Sequence, residues 1–317
     1  LGLLRGASEF ASLYAWHQER FVLMGRLLAA LFSLLGLWLL YRVERRDKGD
    51  VPWATLLLAF SPVLVDLAHT AKADSALFFF ACATWIFSLR VLRDGGRRDH
   101  WWAGLAAGLA LGCHYTAFSV ALALPVAHFA ARKRQKRIWL LEGILAASAG
   151  LFVGVPYLFL DFNAFLASIG DMQALFALKS YRLSDMLVAV LNNAMSFAGA
   201  GSIAGVAAIA GAIRLWAQDR RLGCVLAFPI LVNLIFLALS PEGGWARYLI
   251  GVFPALGLLA GEGLRWASER KSPWLKACVA CLALLPGVVA SARLDWNMRR
   301  ADTRVEAKAW IESQVPE

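Results

Sequence analysis

At 317 residues, with 60% of them apolar, 17% charged and a mean hydropathy of +0.59, the chain falls outside the range of soluble globular domains and reads as a polytopic integral membrane protein. Its net charge of +10 invites a nucleic-acid reading, but the charge says nothing until it is placed on one side or the other of a bilayer. Twenty of the 32 Lys and Arg fall in five connections between apolar runs, 42–50, 90–100, 132–137, 214–221 and 265–276, which the positive-inside rule puts in the cytoplasm, so topology explains the charge and no nucleic-acid partner is expected.

A membrane helix needs about 20 mostly apolar residues to cross roughly 30 Å of hydrocarbon. On that measure the sequence predicts an all-α bundle of about ten membrane helices, near 21–41, 51–69, 73–92, 101–113, 115–131, 138–158, 190–215, 222–240, 247–266 and 274–292. Residues 1–20 have no initiator Met, basic n-region or cleavage site and are not a signal peptide. Phe10, Leu13, Tyr14 and Trp16 alternate there with Glu9, His17, Glu19 and Arg20, as in a helix lying on the membrane surface; the stretch is expected to be the remnant of an outer loop with at least one span before it.

Helix 21–41 carries Arg26 near its outer end, where its long side chain either snorkels to the interface or joins a site. In helix 51–69, Pro52 suits a first turn, whereas Pro62 predicts a kink. Directly after it comes Asp66-Leu-Ala-His69-Thr-Ala-Lys72-Ala-Asp74-Ser75, four ionisable side chains within nine residues, which alternation of the spans places at the outer face.

Residues 101–131 are one apolar block with basic connections at both ends, so the block must fold back near Cys113-His114-Tyr115. A helix over 101–113 rises only about 20 Å and does not fully cross. Gly104, Gly108 and Gly112 repeat every four residues and predict a smooth packing face, as do Gly150/Gly154, Gly201/Gly205 and Gly257/Gly261. The run Gly199 to Gly205 is no dinucleotide fingerprint: its spacing is one residue too long, no strand precedes it, and it falls within the span expected at 190–215. The longest outer loop, 160–185, mixes Asp161, Asp171, Lys179 and Arg182 with aromatic residues and is either an interfacial helix or a lid. The membrane domain is assigned to 21–293, and 294–317 to the start of an extracytoplasmic region, with Thr303 and Glu306 at capping-box spacing.

All five cysteines lie in expected spans, and Cys278-x-x-Cys281 has no second pair, so neither a disulfide framework nor a metal site follows. No cofactor is evident, and no motif supports a divalent metal. Of the five histidines only His69 and His114 lie where outer-face chemistry can use them. If the chain after His69 stays helical, His69 projects with both Lys72 and Asp66. Cations at the outer mouth of a bundle suit a phosphate whose lipid tail stays in the bilayer, and Arg247 stands at the same level. Spacing alone leaves a plainer reading open, in which Lys72 and Arg247 mark the interface and Asp74 caps the helix beginning at Ser75.

A resemblance bears on that choice. Gly25-Arg26-Leu-Leu-Ala-Ala-Leu, then Ser61-Pro62 followed by His69-Thr-Ala-Lys72-Ala-Asp74-Ser75, then Ala103 to Gly112 with His114-Tyr115, and finally Arg247-Tyr-Leu-Ile with Pro254, together resemble the membrane part of the GT-C glycosyltransferases of family 39. That family includes the protein O-mannosyltransferases and, in a wider circle, the aminoarabinose transferases of lipid A. The resemblance runs from about Arg26 to Pro254. It implies an inverting enzyme that takes a sugar from a polyprenyl or dolichyl phosphate at the outer face. Asp74-Ser75 matches the family's Asp-Ser motif, with His69 where many relatives carry Arg, so the resemblance leaves open whether His69 or Lys72 supplies the cation. His114-Tyr115 stands where relatives carry Lys-Tyr or Lys-Gln, and Arg247 matches their Arg-Tyr. The family's catalytic carboxylate lies in the first outer loop; Glu9 and Glu19 do not match its motif and are not assigned the role.

The expectation is thus a membrane glycosyltransferase of the bacterial inner membrane with its site facing the periplasm or exterior. Asp74 and His69 are its catalytic candidates, and Lys72, Arg247, His114 and Tyr115 would bind the lipid phosphate. Its partners would be a polyprenyl- or dolichyl-phosphate-linked sugar, membrane lipid, and an acceptor protein, lipid or glycan. The alternative is a transporter or flippase of a lipid-linked or anionic substrate, which predicts charges deep in the bundle and paired broken helices.

Overall fold

The structure, a computed structural model, describes residues 18–44, 51–133, 135–177, 182–240, 244–269, 272–299 and 303–314. Of the surface helix expected over 1–20, residues 1–17 lie outside these residues, as do Lys179 of the long loop and the segment Pro241-Glu-Gly before Arg247; Glu19 and Arg20 open the first helix, Gln18–Glu44. Every regular element described is helical.

Six of the ten expected spans are helices long and apolar enough to cross a membrane: Arg20–Glu44, Asp74–Arg93, Arg137–Gly154, Arg220–Ala238, Ala246–Ser268 and Pro273–Met298. The other four are short or broken. We label the helices in chain order: α1 Gln18–Glu44, α2 Trp53–Ala59, α3 Pro62–Ala68, α4 Asp74–Arg93 and α5 Arg97–Cys113. A 3-10 turn at Tyr115–Ala117 leads into α6 Phe118–Ala121 and α7 Ala123–Ala130, followed by α8 Arg137–Gly154. Then come α9 Tyr157–Leu160, α10 Phe162–Ala177, α11 Leu183–Met195, α12 Ala204–Gln218 and α13 Arg220–Ala238. A 3-10 segment, Ala246–Val252, runs into α14 Phe253–Ser268, and α15 Pro273–Met298 and α16 Thr303–Gln314 complete the chain.

Burial sorts the spans. In α4 72% of the apolar window is buried and in the segment through α14 78%, against 17% in each of α1, α8 and α15. The first two form the centre, joined where Trp85 Nε1 donates to the Gly251 carbonyl at 3.2 Å. The other three turn apolar side chains outward, as lipid contact requires.

The glycine repeat on α5 is a packing face. A side chain at Gly104 would strike the Gly143 carbonyl and one at Gly108 that of Ala147, so α5 and α8 lie backbone against backbone. Gly257 and Gly261 likewise face α2. At Gly201 the expectation fails. Gly199 and Gly201 have φ of +114° and +79°, conformations that favour glycine, and they form a turn that splits the span expected over 190–215 into α11 and α12. Hydropathy averages over such a break and does not see it.

Breaks in hydrocarbon leave carbonyls that need donors, and serines supply them. At the α2–α3 break, Ser61 Oγ donates to the Phe197 carbonyl at 2.6 Å, while Ser291 Oγ of α15 donates to that of Phe60 at 3.0 Å. Ser202 Oγ serves the Ala283 carbonyl at 2.9 Å, just before Pro286 interrupts α15. At the opposite end Glu44, buried at the foot of α1, accepts from the Ala54 and Thr55 amides at 2.8 and 2.7 Å and closes the N-terminus of α2.

Candidate functional site

The polar stretch lies at the end of the bundle where α3 stops and α4 starts, opposite the end that carries Arg93, Arg97 and Arg132. It is not helical throughout. α3 ends at Ala68 with His69 as its C-cap, because the Leu67 carbonyl is taken by the hydroxyls of Thr70 and Ser75, each at 3.2 Å. The helical premise that put His69 and Lys72 on one face therefore does not hold. Gly25 of α1 lets this loop come close: a Cβ there would sit 2.6 Å from that of Ala71.

His69 is exposed and turns to the last span. Its Nδ1 donates to the Val65 carbonyl at 2.8 Å, and its Nε2 stands 3.6 Å from Asp295 Oδ1 on α15. Lys72 lines an open cleft of about 630 Å³ with Arg247 and Arg293, and Asp66 and Asn297 share its wall. Pro62, Leu67, Trp245 and Leu294 give the same cleft an apolar flank. The span expected over 274–292 stops short of Arg293; α15 continues to Met298 and carries Arg293, Asp295 and Asn297 in its last turns. Its signal was alternation: the site end of that span was bound to fall level with Lys72 and Arg247. Arg26 is exposed on α1 and is not among the side chains lining the cleft.

Arg247 lies in the 3-10 segment with its guanidinium 5.8 Å from the ring of Trp245 and 5.1 Å from that of Tyr248, and its Nη2 donates to Tyr248 Oη at 3.3 Å. Rings on the cation's flank shield it from water and hold its fork in one orientation. His114, in the turn between α5 and the 3-10 turn, stacks near Tyr115 and Tyr248 with centroids 4.4 and 5.2 Å away. Its Nδ1 lies 2.9 Å from Thr116 Oγ1 and accepts from the Thr116 amide at 3.3 Å, which leaves the proton of a neutral ring on Nε2. Burial pushes this imidazole below its ordinary range; Asp74 opposes that shift and Arg247 adds to it, so both charges act on His114.

Asp74 is buried and is the first residue of α4, after an N-cap at Ala73; it makes no side-chain capping bond, so the cap reading does not describe it. A carboxylate in a first turn is stabilised by the helix dipole. The structure thus brings Asp74, His114, Tyr115 and Arg247 into one neighbourhood and Lys72 into a cleft with Arg247. His69 it places apart, on Asp295. Three cations around an apolar-flanked cleft can hold a phosphate that carries a hydrocarbon tail.

Residues 20–159 match the family model described as dolichyl-phosphate-mannose-protein mannosyltransferase. The fold is similar to the crystal structure of ArnT from Cupriavidus metallidurans bound to undecaprenyl phosphate, with a TM-score of 0.53 and 22% identity over 80% of this chain and 48% of that one. The apo crystal structure of the same ArnT gives a TM-score of 0.49 and 21% identity, covering 80% of this chain and 47% of the other. The chain spans about half the length of the solved structures it matches. No curated protein sequence matches it.

Proposed function

We propose that the protein is an integral-membrane glycosyltransferase that moves a sugar from a polyprenyl or dolichyl phosphate to an acceptor, with inversion, at the outer face of a bacterial inner membrane. The observation that carries the proposal is the cleft that sets Lys72, Arg247 and Arg293 beside an apolar wall. The match of residues 20–159 to a mannosyltransferase family and the undecaprenyl phosphate bound by the similar ArnT support the same ligand chemistry. The concentration of Lys and Arg in the connections at the opposite end supports the orientation.

In the reaction an acceptor hydroxyl or amine attacks the anomeric carbon on the face away from the phosphate. The bond between the anomeric carbon and the bridging phosphate oxygen breaks, the lipid phosphate leaves with the electron pair, and a carboxylate takes the acceptor's proton. Lys72, Arg247 and Arg293 hold the departing phosphate as its charge grows. His114, neutral at pH 7, donates from Nε2, and Tyr115 and Tyr248 fix its ring. Asp74 balances the charge of Arg247, and His69 with Asp295 ties the loop of Lys72 to α15.

Lys72→Ala is the direct test, assayed in membranes with polyprenyl-phosphate-linked sugars. Transfer should be abolished at normal protein abundance, with Lys72→Arg retaining part of it. Unchanged turnover in Lys72→Ala would remove the assignment.

A further inference from the structure

The opposite, basic end of the bundle carries a hollow of its own. Arg93, Arg132, Lys133 and Arg221 line a space of about 410 Å³ with only Asp94 and Asp219 to balance them. Three connections distant in sequence supply these residues: the end of α4, the segment after α7, and the turn between α12 and α13. Two ion pairs tie the connections together, Arg132 Nη2 to Asp219 Oδ2 at 3.2 Å and Lys133 Nζ to Asp94 Oδ1 at 3.3 Å. Arg93 and Arg221 belong to no ion pair among the described residues, so the hollow holds two guanidiniums in excess of its acids.

Orientation in a membrane needs only that cations lie on one side, and it leaves them free to spread apart in water. Here they are gathered around one concavity, where they repel. The pairs that oppose the repulsion are exposed, with Lys133 81% and Asp94 80% accessible, and exposed pairs contribute little. An anion between the guanidiniums would relieve what the acids leave over, and a phosphoryl group matches the planar fork of arginine.

We infer that this hollow is a phosphoryl-binding site, filled either by the head group of an anionic phospholipid or by free phosphate, and held chiefly by Arg93 and Arg221. It is separate from the cleft of Lys72 and Arg247, and nothing in it depends on the transferase reading.

The test uses the full chain in phosphatidylcholine nanodiscs, with phosphatidylglycerol added in one arm and inorganic phosphate in the other. Bound lipid is counted by native mass spectrometry and phosphate binding is followed by the thermal midpoint. Arg93→Gln with Arg221→Gln should weaken binding about 30-fold, from roughly fivefold per cation. Arg98→Gln with Lys136→Gln, cations of the same end outside the hollow, should change it less than about threefold on that scale. A response to phosphatidylglycerol alone assigns a lipid head group, and a response to phosphate assigns a soluble phosphoryl ligand. Equal loss in both variant pairs would mean diffuse surface charge and overturn the site, as would binding of neither probe by the parent chain. Unfolding of each variant in pure phosphatidylcholine separates lost binding from lost folding.

Discussion

The two ends of the bundle use the same residue types to opposite effect. At the basic end the cations are many and most are wet, the side chain of Arg132 being 72% exposed and that of Lys133 81%, while Arg214, 16% exposed, is held by Glu262 and Glu269. At the site end one of the cations is sheltered, Arg247 lying only part-exposed against two aromatic rings, while Lys72 and Arg293 are exposed. A charge in water is screened within about 10 Å at ordinary ionic strength, whereas one against apolar walls acts at lower effective dielectric and counts for several-fold more. The number of charges therefore does not mark the proposed site; what sets Arg247 apart is shelter by aromatic rings rather than by acids.

The comparison breaks most sharply at Arg247. Arg247→Ala should lower transfer by about 10²- to 10³-fold, the usual cost of removing one preorganised group that stabilises developing charge. Turnover of a lipid-phosphate sugar in membranes, set against protein abundance, measures it. A loss under tenfold would show that the sheltered cation is no better placed than an exposed one.

Glu44 tests whether burial or location governs. It lies at the basic end yet is buried, where it accepts three hydrogen bonds from Ala54 and Thr55. Glu44→Ala should cost about 1–2 kcal/mol by uncapping α2, read as a lower midpoint of unfolding in detergent. A neutral result would mean that charges at this end are dispensable whatever their burial.

These residues also show what the sequence could disclose. Spans α1, α4, α8, α13, α14 and α15 were legible because apolarity summed over 20 residues is a strong signal, and the level of Lys72, His114 and Arg247 followed from counting crossings. The breaks at Ser61 and at Gly199–Gly201 were legible only in part. Pro62 announced the first, but the second depends on positive φ and on serine donors from other helices. Arg293 was hidden by an end placed six residues short, and the pairing of His69 with Asp295 by the 226 positions between them. His100 and His128 were set aside as lying far from the site; the structure joins them, Nε2 to Nδ1 at 2.9 Å, in a buried contact beside Trp139. Hydropathy reports where a segment lies, not which distant segment meets it.

Salt sharpens the contrast at intermediate scale. Raising ionic strength from about 0.1 to 1 M shortens the screening length from about 10 to 3 Å. Phosphoryl binding in the hollow of Arg93 and Arg221 should weaken markedly. Binding of a polyprenyl phosphate in the cleft of Lys72 should weaken less, since part of its free energy comes from the apolar flank of Pro62, Leu67 and Leu294. Titration of both ligands at the two ionic strengths gives the ratio, and equal slopes would show that the apolar flank contributes nothing to binding.

The smallest effect belongs to Arg132. Its pair with Asp219 spans 87 positions and joins two connections, which gives it the look of a structural clamp. Exposure decides otherwise: both groups keep much of their water, and holding two side chains in one geometry costs entropy that offsets the attraction. Arg132→Ala should therefore change the unfolding free energy by less than about 1 kcal/mol. Asp219→Ala should cost more, because Asp219 also accepts from the Leu222 amide at 3.3 Å and caps α13, a contribution of about 1 kcal/mol. If the two variants unfold at the same midpoint, the cap contributes nothing beyond the pair. If Arg132→Ala is the more damaging, the exposed cations of this end carry structural weight after all.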